Sequence, residues 1–298
     1  MSRLNANLLL LLAGAVWGMG FVAQSTAMDD LGPWTFTAAK FALATLSVLP
    51  FAVRETKRAC SPLPKGASAG FAAIGIMLFL GSIFQQIGIV TTSVTNAGFL
   101  TGLYVVITPL LALVLLRNRA HWVVWPSALA AFAGIVLLGG GSISALSSGD
   151  LWVVLSAVFW SLQILLVGVF AGSGGRPLTL AAVQFAMTTA LASLGALVLE
   201  GQSLASLWAA WPEIVYGGVF ASGLAFTLQI IGQRYTTAPQ AAIFLSSEAL
   251  FAALFGVILL GERIAALGLL GCALIFAAML AVELVPMYRC RENQSFRV

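Results

Sequence analysis

The sequence predicts an all-α integral membrane protein, with ten transmembrane helices arranged as two inverted five-helix repeats around a central cavity. Three observations predict this fold. Only 8% of the 298 residues are charged and 60% are hydrophobic, with a mean hydropathy of +1.03, whereas soluble domains carry about 25% charged residues. The apolar residues form stretches of roughly 20, the length that crosses a bilayer. The second half also repeats polar landmarks of the first half.

Ten apolar stretches separated by short polar breaks are the predicted membrane spans. Proline stands at or near several predicted helix starts, where a missing backbone N–H costs little; examples are Pro33, Pro177, Pro212 and Pro239. The predicted spans occupy residues 7–26, 33–53, 68–90, 93–116, 122–141, 150–170, 177–199, 212–232, 238–260 and 263–284.

Basic residues lie almost entirely on one side of the predicted membrane. Counting loops by alternating sides leaves Arg263 alone on the opposite side. Because short cytoplasmic loops carry an excess of Lys and Arg, the basic side is predicted to be cytoplasmic. This orientation places both termini inside a bacterial-type plasma (inner) membrane. The residues on the basic side are Arg3, Arg54, Lys57, Arg58, Lys65, Arg117, Arg119, Arg176, Arg234, Arg289, Arg291 and Arg297.

The two halves of the chain match when the sequence is shifted against itself by 144 residues. Because each predicted unit has five spans, an odd number, the second unit crosses the membrane in the opposite sense. We therefore predict a first repeat over residues 1–145, a second over 146–287 and a cytoplasmic tail over 288–298. Inverted repeats are typical of secondary transporters that work by alternating access. Matching pairs include Pro33 and Pro177, Phe41 and Phe185, Thr45 and Thr189, Gln85 and Gln229, and, at a shift of 143, Trp17 and Trp160.

Lys40 and Glu248 are charged residues inside predicted spans, with Glu283 nearer a span end. Charged groups at membrane depth usually face a bundle interior or a water-filled cavity and mark a solute pathway. Lys40 lies roughly 10 Å below the outer surface at 1.5 Å per residue, and it either attracts a carboxylate, regulates an outer gate or snorkels to the headgroups. Glu248, near mid-membrane, either receives a substrate ammonium or a coupling proton, or is a structural partner of neighbours such as Tyr104.

Polar and aromatic side chains share helical faces at spacings of three, four and seven residues. For a single glutamine the structural alternative is an interhelical hydrogen bond, on the order of 0.6 kcal/mol. Their convergence from both halves instead favours a cavity with aromatic walls. With Lys40 and Glu248, the predicted cavity residues are Trp17, Ser82, Gln85, Gln86, Thr101, Tyr104, Trp160, Gln163 and Gln229.

Three segments resemble the EamA-type exporters of the drug/metabolite transporter superfamily, and the resemblance spans nearly the whole chain. They are Gly14-Ala-Val-Trp-Gly-Met-Gly-Phe21, Ser156-Ala-Val-Phe-Trp160 and Glu248-Ala-Leu-Phe-Ala-Ala-Leu-Phe-Gly-Val-Ile-Leu-Leu-Gly-Glu-Arg263. In length and character the chain is most similar to YddG-like exporters of aromatic and other amino acids.

This resemblance implies a ten-helix fold, a cavity lined mainly by spans 1, 3, 4, 6, 8 and 9, and export of small metabolites. Two positions depart from the family pattern. Arg117-Asn-Arg119 stands where a Gly-Glu-Arg ending is expected, and Ala249 replaces a frequent proline. Both departures bear on the substrate rather than on the fold.

The same residues support other functions less well. A nucleotide-sugar or sugar-phosphate exchanger needs clustered cations in its cavity, and the predicted interior offers only Lys40. An intramembrane enzyme lacks a recognisable motif, since His121, the only histidine, lies at a span boundary. Three widely spaced cysteines support neither a metal cluster nor a disulfide framework. We expect no enzyme activity, cofactor, metal or nucleic acid; the partners are a small solute and the bilayer, with proton coupling left open.

Overall fold

The computed structural model describes residues 1–59, 61–117, 120–138, 147–173, 176–201, 203–261, 263 and 266–295. Every regular element within these ranges is helical, and a 3-10 turn follows the first helix at Ala27–Asp29. The helices are α1 (Arg3–Thr26), α2 (Pro33–Arg58), α3 (Ala67–Ile89), α4 (Val94–Thr101), α5 (Tyr104–Leu116), α6 (Val124–Leu138), α7 (Ser148–Ser173), α8 (Pro177–Leu199), α9 (Leu204–Ala209), α10 (Trp211–Val215), a π-helix (Tyr216–Leu224), α11 (Ala225–Gln233), α12 (Ala238–Leu245), α13 (Glu248–Leu260) and α14 (Ala266–Ser295).

Eight helical segments of the described chain are long and apolar enough to cross a bilayer. They coincide with eight of the predicted spans, so the protein is an all-helical, multi-pass membrane protein. The fifth and tenth predicted spans correspond to shorter apolar helices, Val124–Leu137 and Ala266–Val282. The total of ten crossings therefore stays a prediction. Helix α14 continues to Ser295, beyond the predicted span end at residue 284.

Helix starts follow the proline and hydroxyl residues of the sequence. Pro33 and Pro177 open α2 and α8, where the missing N–H has no intrahelical partner to lose. The Ser93 hydroxyl accepts from the third amide of α4, and the Thr237 hydroxyl does the same for α12. Ser93 and Thr237 are 144 residues apart, so the shift that aligns the two halves also aligns these two helix caps.

Two predicted spans contain a tightened turn near their middle. Val105 N donates to Gly102 O at 3.0 Å, and Ala249 N donates to Ser246 O at 3.1 Å. Both are three-residue steps, as in a 3-10 helix, and such stretches within a span often mark a hinge. The turns separate α4 from α5 and α12 from α13, so that Tyr104 and Glu248 become the first residues of α5 and α13.

The π-helix Tyr216–Leu224 lies within the membrane-spanning segment Trp211–Gln233, which the sequence predicted as one span over residues 212–232. Small residues let it approach α2 closely: a Cβ on Gly218 would lie 2.8 Å from Lys40 O and from Leu43 Cβ. The Tyr216 hydroxyl donates to Val16 O at 3.0 Å and so ties the segment to α1. π-helical turns are rare and frequently occur at functional sites.

Helices α2 and α8 pack side by side in opposite directions, and each one caps the other. The Glu200 carboxylate, at the end of α8, accepts from Thr35 N at 2.8 Å and Thr35 Oγ1 at 2.7 Å at the start of α2. The Glu55 carboxylate, near the end of α2, accepts from Thr179 N at 2.7 Å and Thr179 Oγ1 at 2.8 Å at the start of α8. We call these contacts the reciprocal caps. A carboxylate is favoured at a helix N-terminus.

The middle of the α2–α8 pair contains residues that the sequence shift aligned with each other. Thr45 Oγ1 lies 3.4 Å from Thr189 Oγ1, and the Phe41 and Phe185 ring centroids are 5.9 Å apart. Phe41 and Phe185 belong to the largest buried apolar cluster of the described residues, in which α2, α3, α7, α8 and α11 meet. This cluster forms one wall of the central cavity.

Candidate functional site

A cavity lies between the helices at the centre of the bundle. Its volume is about 50 Å³, counted as space for the centres of water molecules, so the described conformation has room for a few waters and must widen to admit a larger guest. Of the predicted cavity residues, Gln86 alone is not in its wall. The other ten line it: Trp17, Lys40, Ser82, Gln85, Thr101, Tyr104, Trp160, Gln163, Gln229 and Glu248.

Lys40 is a buried ammonium held by amides. The residue is 5% exposed, and Nζ donates to Gln24 Oε1 at 3.1 Å and to Gln86 Oε1 at 3.5 Å. Nζ also lies 5.0 Å from the Phe36 ring centroid and 5.5 Å from that of Phe41. Within the described residues no carboxylate bonds to Nζ. Amide dipoles and ring faces therefore surround Nζ, and it has no counter-ion among the described residues.

Glu248 places a carboxyl group in the same cavity. As the first residue of α13 it stands at a helix N-terminus, where negative charge is favoured. It is 4% exposed, and Oε1 accepts no hydrogen bond from the described residues. Tyr104, its equivalent in the first half, lies next to it in the cavity wall. Beside them Gln85 Nε2 donates to Thr101 Oγ1 at 2.9 Å.

Three glutamines from different helices bond to one another at the cavity edge. Gln229 Nε2 donates to Gln163 Oε1 at 3.0 Å, and Gln163 Nε2 donates to Gln184 Oε1 at 3.3 Å. All three residues are fully buried. Gln184, which the sequence analysis did not single out, completes this interhelical bridge between α7, α8 and α11, the structural use that amides commonly have in membranes.

An aromatic cluster centred on Phe226 forms the apolar wall. The Trp17 centroid lies 4.7 Å from that of Phe226, and Trp160 stacks on Phe226 at 5.7 Å with an interplanar angle of 16°. Phe185 and Phe41 complete the cluster at 6.1 Å and 6.4 Å. Sequence reasoning identified the two tryptophans. It missed Phe226, because a phenylalanine in so apolar a chain carries no distinguishing signal.

Further lining residues were not among the predicted cavity residues. Gln24, which bonds to Lys40, is seven residues after Trp17 on the same face of α1, so its helical spacing did carry a signal. Gly217, Ala221 and Ser222 reach the cavity from the π-helix. Their spacing of four and five residues fits the wider turn of a π-helix, which nothing in the sequence predicts. In the part of the chain that the structure describes, no three His, Cys, Asp or Glu side chains cluster as metal ligands.

Comparisons with known proteins agree with this architecture. The EamA-like transporter family matches residues 4–140 and again residues 147–284. An uncharacterized transporter from Archaeoglobus fulgidus is 31% identical over 288 residues, covering 95% of this chain and 87% of that protein. An uncharacterized protein from Pseudomonas aeruginosa is 30% identical over 244 residues, covering 81% and 80%. A solved crystal structure superposes with a TM-score of 0.77 at 20% identity, covering 95% of this chain and 98% of that one, and shows the shared fold.

Proposed function

This chain belongs to the EamA-like transporter family, and from that premise we propose that it exports small zwitterionic metabolites. Amino acids, including aromatic ones, are the proposed substrates. The transporter role comes with the family, and the family points to transport rather than to an enzyme. The amino-acid substrate and the direction of transport are the finer proposals, and the cavity supplies the argument for the substrate.

The observation that carries the proposal is the presence of an amine and a carboxyl group, Lys40 and Glu248, in the wall of one cavity. Lys40 offers a buried ammonium to which no carboxylate of the described chain bonds, and Glu248 offers a carboxyl oxygen without a hydrogen bond. Burying unpaired charged groups is costly, and a guest with complementary charges offsets that cost. An amino acid carries a carboxylate and an ammonium in one small molecule, and so it complements both groups.

The aromatic wall supports solutes with apolar or aromatic side chains. The Phe226 cluster gives the cavity flat apolar surfaces on which a ring packs in tilted or stacked geometry. Among the lining residues of the described chain, Lys40 is the single cation. A phosphorylated solute calls for more positive charge than this, so the sugar-phosphate exchanger is the less favoured alternative.

Alternating access between two inverted repeats is the proposed mechanism, with ten crossings and repeats at 1–145 and 146–287. Contacts between aligned residues support it, because residues on a two-fold axis meet their own equivalents. Thr45 meets Thr189, and Phe41 meets Phe185. The tightened turns recur 144 residues apart, and each is a natural hinge.

The proposed location is a bacterial-type inner membrane, with both termini and the 288–298 tail on the cytoplasmic side. The Arg3 guanidinium donates to Val282 O at 3.3 Å. The start of α1 and the end of the apolar part of α14 therefore lie at the same face, as an even number of crossings requires. The twelve-to-one distribution of basic residues supports assigning that face to the cytoplasm.

Flux through reconstituted vesicles tests the proposal. Vesicles containing the protein should equilibrate labelled phenylalanine and threonine down an imposed gradient faster than protein-free vesicles do, while a sugar phosphate stays excluded. Movement of the sugar phosphate alone would replace the amino-acid substrate with the phosphorylated one. Equal rates with and without protein for the whole panel would refute the substrate class.

A further inference from the structure

Gln86 is a buried amide that does not line the central cavity. It is 0% exposed, and two hydrogen bonds fix the orientation of its amide. Nε2 donates to Gln24 O at 3.1 Å, and Oε1 accepts from Lys40 Nζ at 3.5 Å. Gln24 lies in the last turn of α1, where carbonyls lack intrahelical partners. Because only the NH2 group can donate to that carbonyl, the oxygen of the amide is the atom that faces Lys40.

Lys40 Nζ has two amide partners that differ in their access to a solute. Gln24 lines the cavity, and its Oε1 lies 3.1 Å from Nζ. Gln86 contacts Nζ but is not a lining residue, so it approaches the ammonium from behind the cavity wall. A solute in the cavity can therefore displace the contact of Lys40 with Gln24 without disturbing its contact with Gln86.

The second half of the chain shows which residue stands at the position of Gln86 where no ammonium is present. The shift of 144 residues aligns Lys40 with Gln184 and Gln86 with Ile230. Gln184 Oε1 accepts from Gln163 Nε2 at 3.3 Å, so an amide meets an amide there. Ile230 is 0% exposed and packs in the largest apolar cluster of the described residues. The repeated fold thus accepts an apolar side chain at this position, and the amide occurs in the half that carries the ammonium.

We propose that Gln86 is a positioning residue, which holds Lys40 Nζ at the point where the carboxylate of a solute meets it. The proposal rests on the proposed function and adds to its binding site a residue that no solute touches. A lysine side chain is a flexible four-carbon stem, and fixing it before the solute arrives reduces the entropy lost on binding. The Gln86 oxygen also supplies an acceptor that a buried ammonium requires. Its removal should therefore weaken the binding of carboxylate solutes.

The second half supplies the substitutions that test this proposal. Gln86→Ile and Lys40→Gln each introduce the residue found at the aligned position. Initial rates of phenylalanine transport in vesicles give KM and kcat for the parent, both single variants and the double variant. We expect KM to rise about 3- to 10-fold in Gln86→Ile, the range of one hydrogen bond, with kcat within about twofold of the parent value. When Lys40→Gln is already present, adding Gln86→Ile should change KM by less than about twofold, because the contact is already lost.

Gln233→Ile is the matched control. Gln233 is 2% exposed, does not line the cavity and donates to the Ile164 carbonyl rather than contacting a charged group. Its KM for phenylalanine should stay at the parent value. A rise in KM from Gln86→Ile that is equally large with and without Lys40→Gln would overturn the proposal, because a purely structural amide acts regardless of the ammonium. An unchanged KM in Gln86→Ile would overturn it as well.

The outcomes separate this proposal from the proposed function. If the parent transports phenylalanine, the proposed function stands whatever Gln86→Ile does. A parent that does not move phenylalanine would overturn both. If Gln86→Ile does not fold, Gln86→Glu keeps an acceptor beside Nζ but places a carboxylate of the chain in competition with that of the solute. KM should then rise about 10-fold or more, as expected for a bond to a charged group, and an unchanged KM would overturn the proposal.

Discussion

Lys40 is the basic side chain of the cavity, and no carboxylate of the described residues bonds to it, so its removal tests the proposed carboxylate contact. Lys40→Met keeps the length of the side chain without its charge. We expect the KM for amino acids to rise at least about 10-fold, because hydrogen bonds to charged groups contribute roughly 1.5–3 kcal/mol. Lys57→Met, which changes an exposed lysine on the same helix, is the control. Unchanged KM and kcat in Lys40→Met would remove Lys40 from the solute pathway.

Glu248 is the residue at which a coupling proton would bind. The Glu248→Gln variant keeps the shape and one acceptor oxygen, replaces the other oxygen by an NH2 donor, and cannot exchange a proton. We expect parent transport to respond to an imposed proton gradient and the variant to lose that response, measured as flux at a series of external pH values. Glu213→Gln, on a partly buried acid that accepts from Thr26 and does not line the cavity, should behave like the parent. A parent without any pH response would dismiss proton coupling.

Polar residues were the predictable part of the site, for a physical reason. An amide or ammonium in a membrane span is costly unless it meets a partner, so Lys40, Gln85 and Gln163 stand out in an apolar sequence. Their ligands were harder to foresee. Phe226 is one apolar residue among many, and the pairing of Lys40 with Gln24 depends on how α1 and α2 pack.

At the scale of the helix, the reciprocal caps predict a stability effect. Glu55→Ala and Glu200→Ala each leave the first amides of the facing helix without their acceptor. We expect each variant to lose about 1 kcal/mol, the usual contribution of a helix cap. Denaturation in detergent measures the loss. Because the two caps lie at opposite ends of the α2–α8 pair, the losses should add.

Asp29→Ala provides the control for the caps, because Asp29 is exposed and belongs to the 3-10 turn. A loss of stability in Asp29→Ala as large as that in Glu55→Ala would attribute the effect to general charge removal.

The sequence could predict the proline starts of α2 and α8, since proline acts through its own ring. It could not predict that each start is capped from the other helix, because that contact joins residues 123 to 166 positions apart.

The same limit applies to irregular helices. The approximate positions of eight spans followed from hydropathy, which depends only on local composition. The π-helix and the two tightened turns depend on backbone hydrogen bonds, which composition does not encode. Gly217, Gly218 and Gly223 permit the π-helix to pack on α2, but glycines at such spacing occur equally in regular membrane helices.

For the whole molecule, the contact of Thr45 with Thr189 locates the proposed two-fold axis. A Thr45→Cys, Thr189→Cys double variant should form a disulfide on oxidation, because the two hydroxyl oxygens already lie 3.4 Å apart. If this point stays fixed while the two halves rock, the transport rate of the cross-linked protein should lie within about twofold of that of the reduced protein. Loss of a single hydrogen bond to a charged group changes binding by about tenfold or more, so this change would be small. Flux before and after reduction checks this. A cross-link that stops transport would place the axis elsewhere.

The reciprocal caps also bear on ancestry and on dissection of the gene. Helix α2 begins beneath a carboxylate from the second half, and α8 begins beneath one from the first. A fragment ending before Ser148 would therefore contain α2 without the Glu200 carboxylate that caps it. The complementary fragment would contain α8 without the Glu55 carboxylate that caps it. Co-expressed, the fragments would supply each other's missing acceptor. A single short polypeptide inserted in both orientations would have formed both reciprocal caps as a dimer. The caps could therefore have existed before the duplication and fusion of its gene.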